Sequence, residues 1–274
     1  MIVVTGATGN VGRVLVGLLA DTGEKIVAVS RTAAEGLPEG VEHRAADLGR
    51  PETLATAFDG ADALFLFGGG DRPAEVVAAA KTAGITRVVL LSSQGAGTRP
   101  ENPGHHGLRA FEAAVTSSGL SWTVLRPGGF ASNAFAWAEP VRTARLAPSP
   151  FADVALPFVD PADIAAVAAA ALTEPGHDGR TYVLTGPAAL SPRERAAVIA
   201  EAVGAPVRLV EQTPGEARAQ MLTFMPPEVV ESTLDIIGSP TPAEQAVSPD
   251  IAAVLGREPG DFAGWVARNV VAFR

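Results

Sequence analysis

Residues 2–13 read IVVTGATGNVGR, and this stretch decides the fold. The β-branched run Ile2-Val3-Val4-Thr5 has the character of a buried strand. It breaks into Thr5-Gly6-Ala7-Thr8-Gly9-Asn10-Val11-Gly12, with glycines spaced three apart. The chain then resumes as a helix, with Val11, Val14, Leu15, Leu18 and Leu19 on one face until Thr22-Gly23 stops it. Each glycine has an expected task. Gly6 makes the tight turn off the strand, Gly9 lets backbone approach a pyrophosphate, and Gly12 lets the helix pack on the sheet with its positive end facing the anion. A glycine repeat alone is weak evidence. Placed between a strand and an amphipathic helix it reads as a dinucleotide cradle, in which Thr5, Gly6, Thr8, Gly9, Asn10, Val11, Gly12 and Arg13 are the expected cofactor contacts.

Outward from that cradle the pattern repeats. Apolar strand signals over 26–29, 41–44, 63–67, 87–91 and 122–125 alternate with helix signals over 51–58, 73–83 and 108–117. Pro51 and Pro73 sit at helix starts, where the missing N–H has no consequence. Alternating strands and helices imply right-handed crossovers and a parallel sheet. The expected fold is therefore α/β, a doubly wound sheet of the Rossmann type with a smaller, mostly helical C-terminal lobe. The sheet domain is expected over 1–175, with 126–153 crossing towards the second lobe, and the smaller substrate-binding lobe over 176–274. In the latter, a strand over 181–184, a capped helix from Ser191 and a strand over 207–210 precede helical patterns.

Composition sets limits. At 274 residues, 47% of them hydrophobic, the chain can bury about three quarters of its unfolded surface. It has no cysteine, so disulfides, thiolate nucleophiles and cysteine metal sites are excluded, and no spacing of His, Asp and Glu marks a metal site. A formal charge of −9, from 30 acids against 21 bases, opposes nucleic-acid binding, which needs clustered cations. No apolar run reaches the roughly 20 residues of a membrane helix. The start also lacks a basic segment followed by an apolar signal core, so the expected compartment is the cytoplasm.

Selectivity between the two nicotinamide dinucleotides is read at the end of the second strand. An acid there, about 20 residues past the glycines, would bond a ribose 2′-hydroxyl. This chain has Ser30-Arg31 instead, which suits a 2′-phosphate, with Arg13 a second available cation, so NADP(H) is favoured over NAD(H). Asp47-Leu48, after the third strand, places a carboxylate either against an adenine amino group or as a cap near Pro51. Phe67-Gly68-Gly69-Gly70 leaves bare backbone at the carboxyl edge of the sheet, facing the ribose and nicotinamide side.

These features resemble the atypical short-chain dehydrogenase/reductases, specifically the NmrA-like group, which includes quinone, azo-dye and triphenylmethane reductases and non-enzymatic redox sensors. The likeness spans most of the chain and is carried by TGATGNVG at 5–12, VVLLSS at 88–93, SGLSWTVLRPGGF at 118–130 and VDPADIAAV at 159–167. The resemblance implies that Pro127, Gly128 and Phe130 border the nicotinamide, with Ser92 beside the cofactor. It implies an NADPH-dependent reductase of an electrophilic small molecule of quinone, azo or enone type. An NADP(H) sensor and a tailoring isomerase or cyclase are the alternatives on the same fold.

One departure stands out. Ordinary short-chain dehydrogenases work with a Tyr-x-x-x-Lys pair, but the single tyrosine here, Tyr182, is followed four places later by Gly186, and the two lysines are Lys25 and Lys81. Tyr182 reads as a structural strand residue, and Lys81 as a cation at a helix C-terminus. A replacement acid is sought after the fifth strand, where His106 or His105 could deliver a proton, oriented by Glu112 or Arg109, and Ser93 could bond a substrate carbonyl. Quinones and azo bonds also accept hydride with the proton taken from water, so an acid is not required. Phe130, Trp137 and the apolar patch over 221–225 are expected to wall the substrate cleft, and Asp160 and Asp163 to cap a helix.

Overall fold

The computed structural model describes residues 1–32 and 35–274. The sheet domain runs β1 (Ile2–Thr5), α1 (Gly12–Ala20), β2 (Ile26–Ser30), β3 (Glu42–Ala45), α2 (Leu54–Phe58), β4 (Ala63–Phe67), α3 (Pro73–Thr82) and β5 (Arg87–Leu91). After it come α4 (Gln94–Thr98), a 3₁₀ turn Pro103–His105, α5 (His106–Thr116) and β6 (Ser121–Pro127). The chain then enters a 3₁₀ segment Ala131–Trp137, α6 (Ala138–Ala144), β7 (Leu146–Ser149) and α7 (Pro161–Thr173). The remainder is β8 (Arg180–Leu184), α8 (Pro192–Val203), β9 (Arg208–Glu211), α9 (Pro214–Met221), α10 (Pro227–Gly238), α11 (Pro242–Gln245), α12 (Asp250–Leu255) and α13 (Phe262–Asn269).

Seven parallel strands in the order β3-β2-β1-β4-β5-β6-β8 form the main sheet. Winding reverses between β1 and β4, so a crevice opens at their carboxyl ends, where ligands sit in open α/β sheets. The sheet is covered on both faces. Val11, Leu15 and Leu19 of the first crossover pack with Ile164, Ala168 and Leu172 of α7 on one side. Leu54, Phe58, Val76, Phe111 and Val115 from α2, α3 and α5 fill the other. Burial on both faces explains why β1, β2, β4 and β5 read as unbroken apolar runs.

The second lobe is less contiguous in sequence than expected. Residues 131–149 build its core instead of merely crossing to it: Ala134, Trp137 and Val141 pack with Ile199 of α8 and with Phe262, Trp265 and Phe273. A two-stranded parallel sheet, Leu146 to Ser149 beside Arg208 to Glu211, completes that lobe. Conversely β8, expected in the 176–274 lobe, pairs with β6 and finishes the main sheet, and Ile251 of α12 joins the main core. The boundary at 175 is thereby corrected. The physical reason is that β6 would otherwise present an unpaired edge, and β8 satisfies it.

Asp160 caps α7 through the Ala162 N–H at 2.9 Å and pairs with Arg268. Asp163 does not cap; it accepts from the Gly260 N–H at 2.7 Å and pairs with Arg257 at 2.7 Å. Both thereby fasten the C-terminal segment to the sheet domain. Lys81 donates to the Ser118 carbonyl near the end of α3. Among the described residues, no helix is long and apolar enough to cross a membrane, and no group of His, Asp and Glu is arranged to hold a metal ion.

Candidate functional site

The cradle is built by close backbone contacts. Gly6 turns with φ +63°, and the Gly9 N–H closes on its carbonyl at 2.9 Å. A Cβ placed on Gly12 would lie 2.2 Å from the Gly6 carbonyl oxygen and 2.9 Å from Ala7 Cα, so no side chain fits there. The requirement for Gly12 thus comes from the turn folding back on the helix start, where sequence reasoning had assigned it to helix–sheet packing. Among the described residues, the N–H groups of Thr8, Asn10, Val11 and Gly12 have no acceptor. A set of unpaired donors at a helix N-terminus fits a pyrophosphate. Thr5 is used structurally: its hydroxyl donates to the Phe65 carbonyl at 3.0 Å and accepts from the Phe67 N–H at 2.8 Å, stapling β1 to β4. Asn10 Nδ2 donates to Ser132 Oγ at 3.1 Å and so ties the turn to the second lobe.

From this turn a cavity of about 610 Å³ extends along the carboxyl ends of β1 and β2, lined by Ser30, Arg31, Asp47, Leu48 and Phe67 among others. Ser30 Oγ donates to the Thr32 carbonyl at 2.7 Å and lies 2.9 Å from His43 Nε2. Arg31 lines the cavity, is exposed, and has no ion-pair partner among the described residues. Arg13 is different: it turns onto the Thr8 carbonyl at 3.2 Å and does not line the cavity, which corrects its reading as a second phosphate cation. Asp47 lines the cavity and its Oδ1 accepts from the Gly49 N–H at 3.0 Å, while the turn at Pro51 has no side-chain cap, so Asp47 does not cap that turn.

A second cavity of about 830 Å³ meets the first at Phe67, Gly69, Gly70, Leu91 and Phe130. Gly68, Ser92, Ser93, Pro127 and Gly128 line it. Phe67 is 49% exposed, a large apolar surface left open at the junction. Ser92 Oγ donates to Glu112 Oε1 at 2.6 Å, and Glu112 takes both a 2.9 Å bond from Arg126 Nε and a 2.6 Å bond from Nη2. Burial pushes the Glu112 carboxyl up, but the bonds from Arg126 and Ser92 outweigh it and hold it below the usual carboxylate range. Glu112 therefore belongs to Ser92 and Arg126, and Arg109 donates to the Ala96 carbonyl at 3.1 Å; neither orients a histidine, contrary to expectation. Ser93 Oγ caps α4 by accepting from the Gly95 N–H at 3.2 Å.

The two histidines part company. His106 is exposed and outside both cavity linings, which removes it from the position expected of an acid. His105 is buried, lines the second cavity, and places Nε2 3.0 Å from Ser232 Oγ. Burial pushes its imidazole below the ordinary value. Tyr182 lies elsewhere, with its hydroxyl 2.9 Å from His177 Nδ1.

Of the residues expected to wall the cleft, Phe130 lines the second cavity, but Trp137 and the patch over 221–225 do not. Trp137 donates to the Pro148 carbonyl at 2.7 Å inside the second-lobe core, and Met221 and Met225 do not line the cavity. The wall is α10, through Val229, Ser232, Thr233, Ile236 and Ile237, together with Phe158. The spacing of those five at i, i+3, i+4, i+7 and i+8 was the available signal. Gln94 was also missed; it lines the cavity and its Nε2 donates to the Ala243 carbonyl at 3.0 Å.

The unpaired donors of the glycine turn, opening on the switch point of a doubly wound sheet, decide the family. The chain belongs to the NAD(P)H-binding family, whose model matches residues 6–175. A (4-alkanoyl-5-oxo-2,5-dihydrofuran-3-yl)methyl phosphate reductase of Streptomyces griseus is 37% identical, spanning all of this chain and 99% of that protein. An NAD(P)H azoreductase of Xenophilus azovorans is 34% identical over all of this chain and 99% of its own length. Among solved structures, the NADPH-dependent quinone oxidoreductase QOR2 of Escherichia coli complexed with NADPH superposes with TM-score 0.82 and 26% identity, covering 99% of each chain.

Proposed function

We propose that this protein is an NADPH-dependent reductase of electrophilic small molecules of the quinone or azo type. The observation that carries it is the junction at Phe67, Gly69, Gly70, Leu91 and Phe130, where a dinucleotide groove opens into a largely apolar chamber. The full-length relatives named as reductases, and the NADPH-bound fold neighbour, support the same reading.

In this reading the turn over 5–12 holds the pyrophosphate on its unpaired N–H groups and Arg31 takes the 2′-phosphate. NADPH, when bound, supplies the hydride. The chain's residues position the acceptor: Phe130 and α10 enclose its apolar body, and Ser93, whose hydroxyl hydrogen has no acceptor among the described residues, donates to its oxygen or nitrogen. Ser92 cannot serve as that donor, since its hydrogen is committed to Glu112. His105, kept neutral by burial, is a wall that secures α10, and the proton is drawn from solvent.

Purified protein mixed with NADPH and a panel of quinones, azo dyes and enones should consume absorbance at 340 nm. Tight NADPH binding without turnover on any acceptor defeats the proposal.

A further inference from the structure

The charges around the chamber are one-sided. Among the described residues, no lysine or arginine lines it, and its titratable residues are His105, Glu228 and Glu244. Glu244 is neutralised: Arg99 Nε reaches its Oε1 at 2.8 Å and Nη2 its Oε2 at 2.9 Å, with Thr98 Oγ1 donating at 2.7 Å. His105 is held neutral by burial. Arg195, the buried guanidinium of the second lobe, stacks on Phe158 at 3.8 Å from the ring centroid and does not itself line the chamber.

Glu228 faces only the N-terminal end of its own helix and no cationic side chain among the described residues. It stands at the first turn of α10, has no ion pair or side-chain hydrogen bond among the described residues, and is exposed. Helical spacing puts it on the row of Ser232 and Ile236, the face turned to the chamber. The Streptomyces griseus relative is named for a phosphate ester, a dianion that a site recognises with cationic donors. This chain is 37% identical to it along its full length, and among the described residues its chamber offers no lysine or arginine to such a dianion.

We infer that the chamber selects neutral and cationic acceptors against anionic ones, and that Glu228 is the residue that determines this specificity. The inference rests on the reductase reading above and refines its substrate class. A phosphorylated or sulfonated acceptor entering the chamber meets no compensating charge and approaches a fixed carboxylate. A quaternary ammonium is attracted to it, and the net charge of −9 reinforces both effects at a distance.

The test uses three naphthoquinones, one carrying a trimethylammonium arm, one an isosteric sulfonate arm and one unsubstituted. Their binding to the NADP⁺-loaded protein is followed by equilibrium dialysis and their reduction by NADPH at 340 nm. The cationic probe should bind about fivefold to tenfold more tightly than the sulfonate at low ionic strength, with the ratio shrinking at 0.5 M salt. Glu228→Gln should bring the ratio towards one, and Glu228→Lys should invert it. Equal binding of both charged probes to the wild type, or a ratio unmoved in Glu228→Lys, overturns the inference. Turnover of the unsubstituted quinone reports separately on the reductase reading, because the binding ratio is measured without it.

Discussion

His105 Nε2 lies 3.0 Å from Ser232 Oγ, a bond between residues 127 positions apart that joins the 3₁₀ turn before α5 to the middle of α10. Gly104 makes the same junction close-packed, since a Cβ there would meet Ser232 Cβ at 2.6 Å and the Glu228 carbonyl at 2.7 Å. The α10 wall is therefore set by this contact. His105→Phe or Ser232→Ala should raise KM for the acceptor about tenfold while leaving the pH profile of kcat between about pH 7.5 and 9 unchanged, because burial pushes the imidazole below its ordinary value. Loss of a titrating limb in His105→Phe, with kcat down a hundredfold or more, would instead make the histidine the proton donor.

Arg31 lines the groove at the end of β2 and has no ion-pair partner among the described residues. Removing it in Arg31→Ala should delete a charge-assisted bond of about 1.5–3 kcal/mol and weaken NADPH about tenfold to a hundredfold. NADH affinity should hardly move. Fluorescence titration with both cofactors checks this, and equal losses for the two reject the assignment. Arg13→Ala is the informative companion: its guanidinium is spent on the Thr8 carbonyl, so NADPH and NADH should respond alike.

Much of the sheet domain was legible because β1, β2, β4 and β5 are buried on both faces and leave continuous apolar runs. Gly6, Gly9 and Gly12 were legible for a local reason, their spacing between strand and helix. The second lobe was not, since its core joins residues near 137, 199 and 265, and no local period records such an assembly. For the same reason β8 could not be assigned to the main sheet: its partner is β6, and residues 180–182 are exposed or half-buried, giving little apolar signal. The two adjacent histidines show the limit most directly. Sequence offered His105 and His106 as equals, and only the turn of the 3₁₀ segment buries one and exposes the other.

Two glycines of the first crossover should respond oppositely to alanine. Gly12→Ala forces a Cβ to 2.2 Å from the Gly6 carbonyl, so the turn must open and both cofactors should lose affinity by more than tenfold, with a lower Tm. Gly17 lies within α1 and a Cβ there meets nothing within 4 Å. Gly17→Ala should stabilise the protein by about 0.5–1 kcal/mol through helix propensity and reduced unfolded-state entropy, with cofactor binding intact. Thermal unfolding and titration of the two variants side by side separate a conformational need for glycine from a dispensable one.

Glu244 ties α11 to α4, and its carboxyl carries a stability that depends on pH. Burial alone would raise it, but the bonds from Arg99 and Thr98, with the Thr241 N–H, lower it from 4.5 to about 2. A carboxylate whose folded value lies below its unfolded one stabilises the fold above the unfolded value and stops doing so as pH falls through the folded one. The contribution is therefore complete above about pH 4.5 and fades between there and about pH 2. Solvent at the edge of the pair reduces its size to about 1–3 kcal/mol. Glu244→Gln should be less stable than wild type at pH 7, and the gap should close as urea unfolding is repeated at pH 5, 4 and 3. A gap that stays constant over that range would mean that packing of α11, and not the ionised pair with Arg99, holds α4 in place.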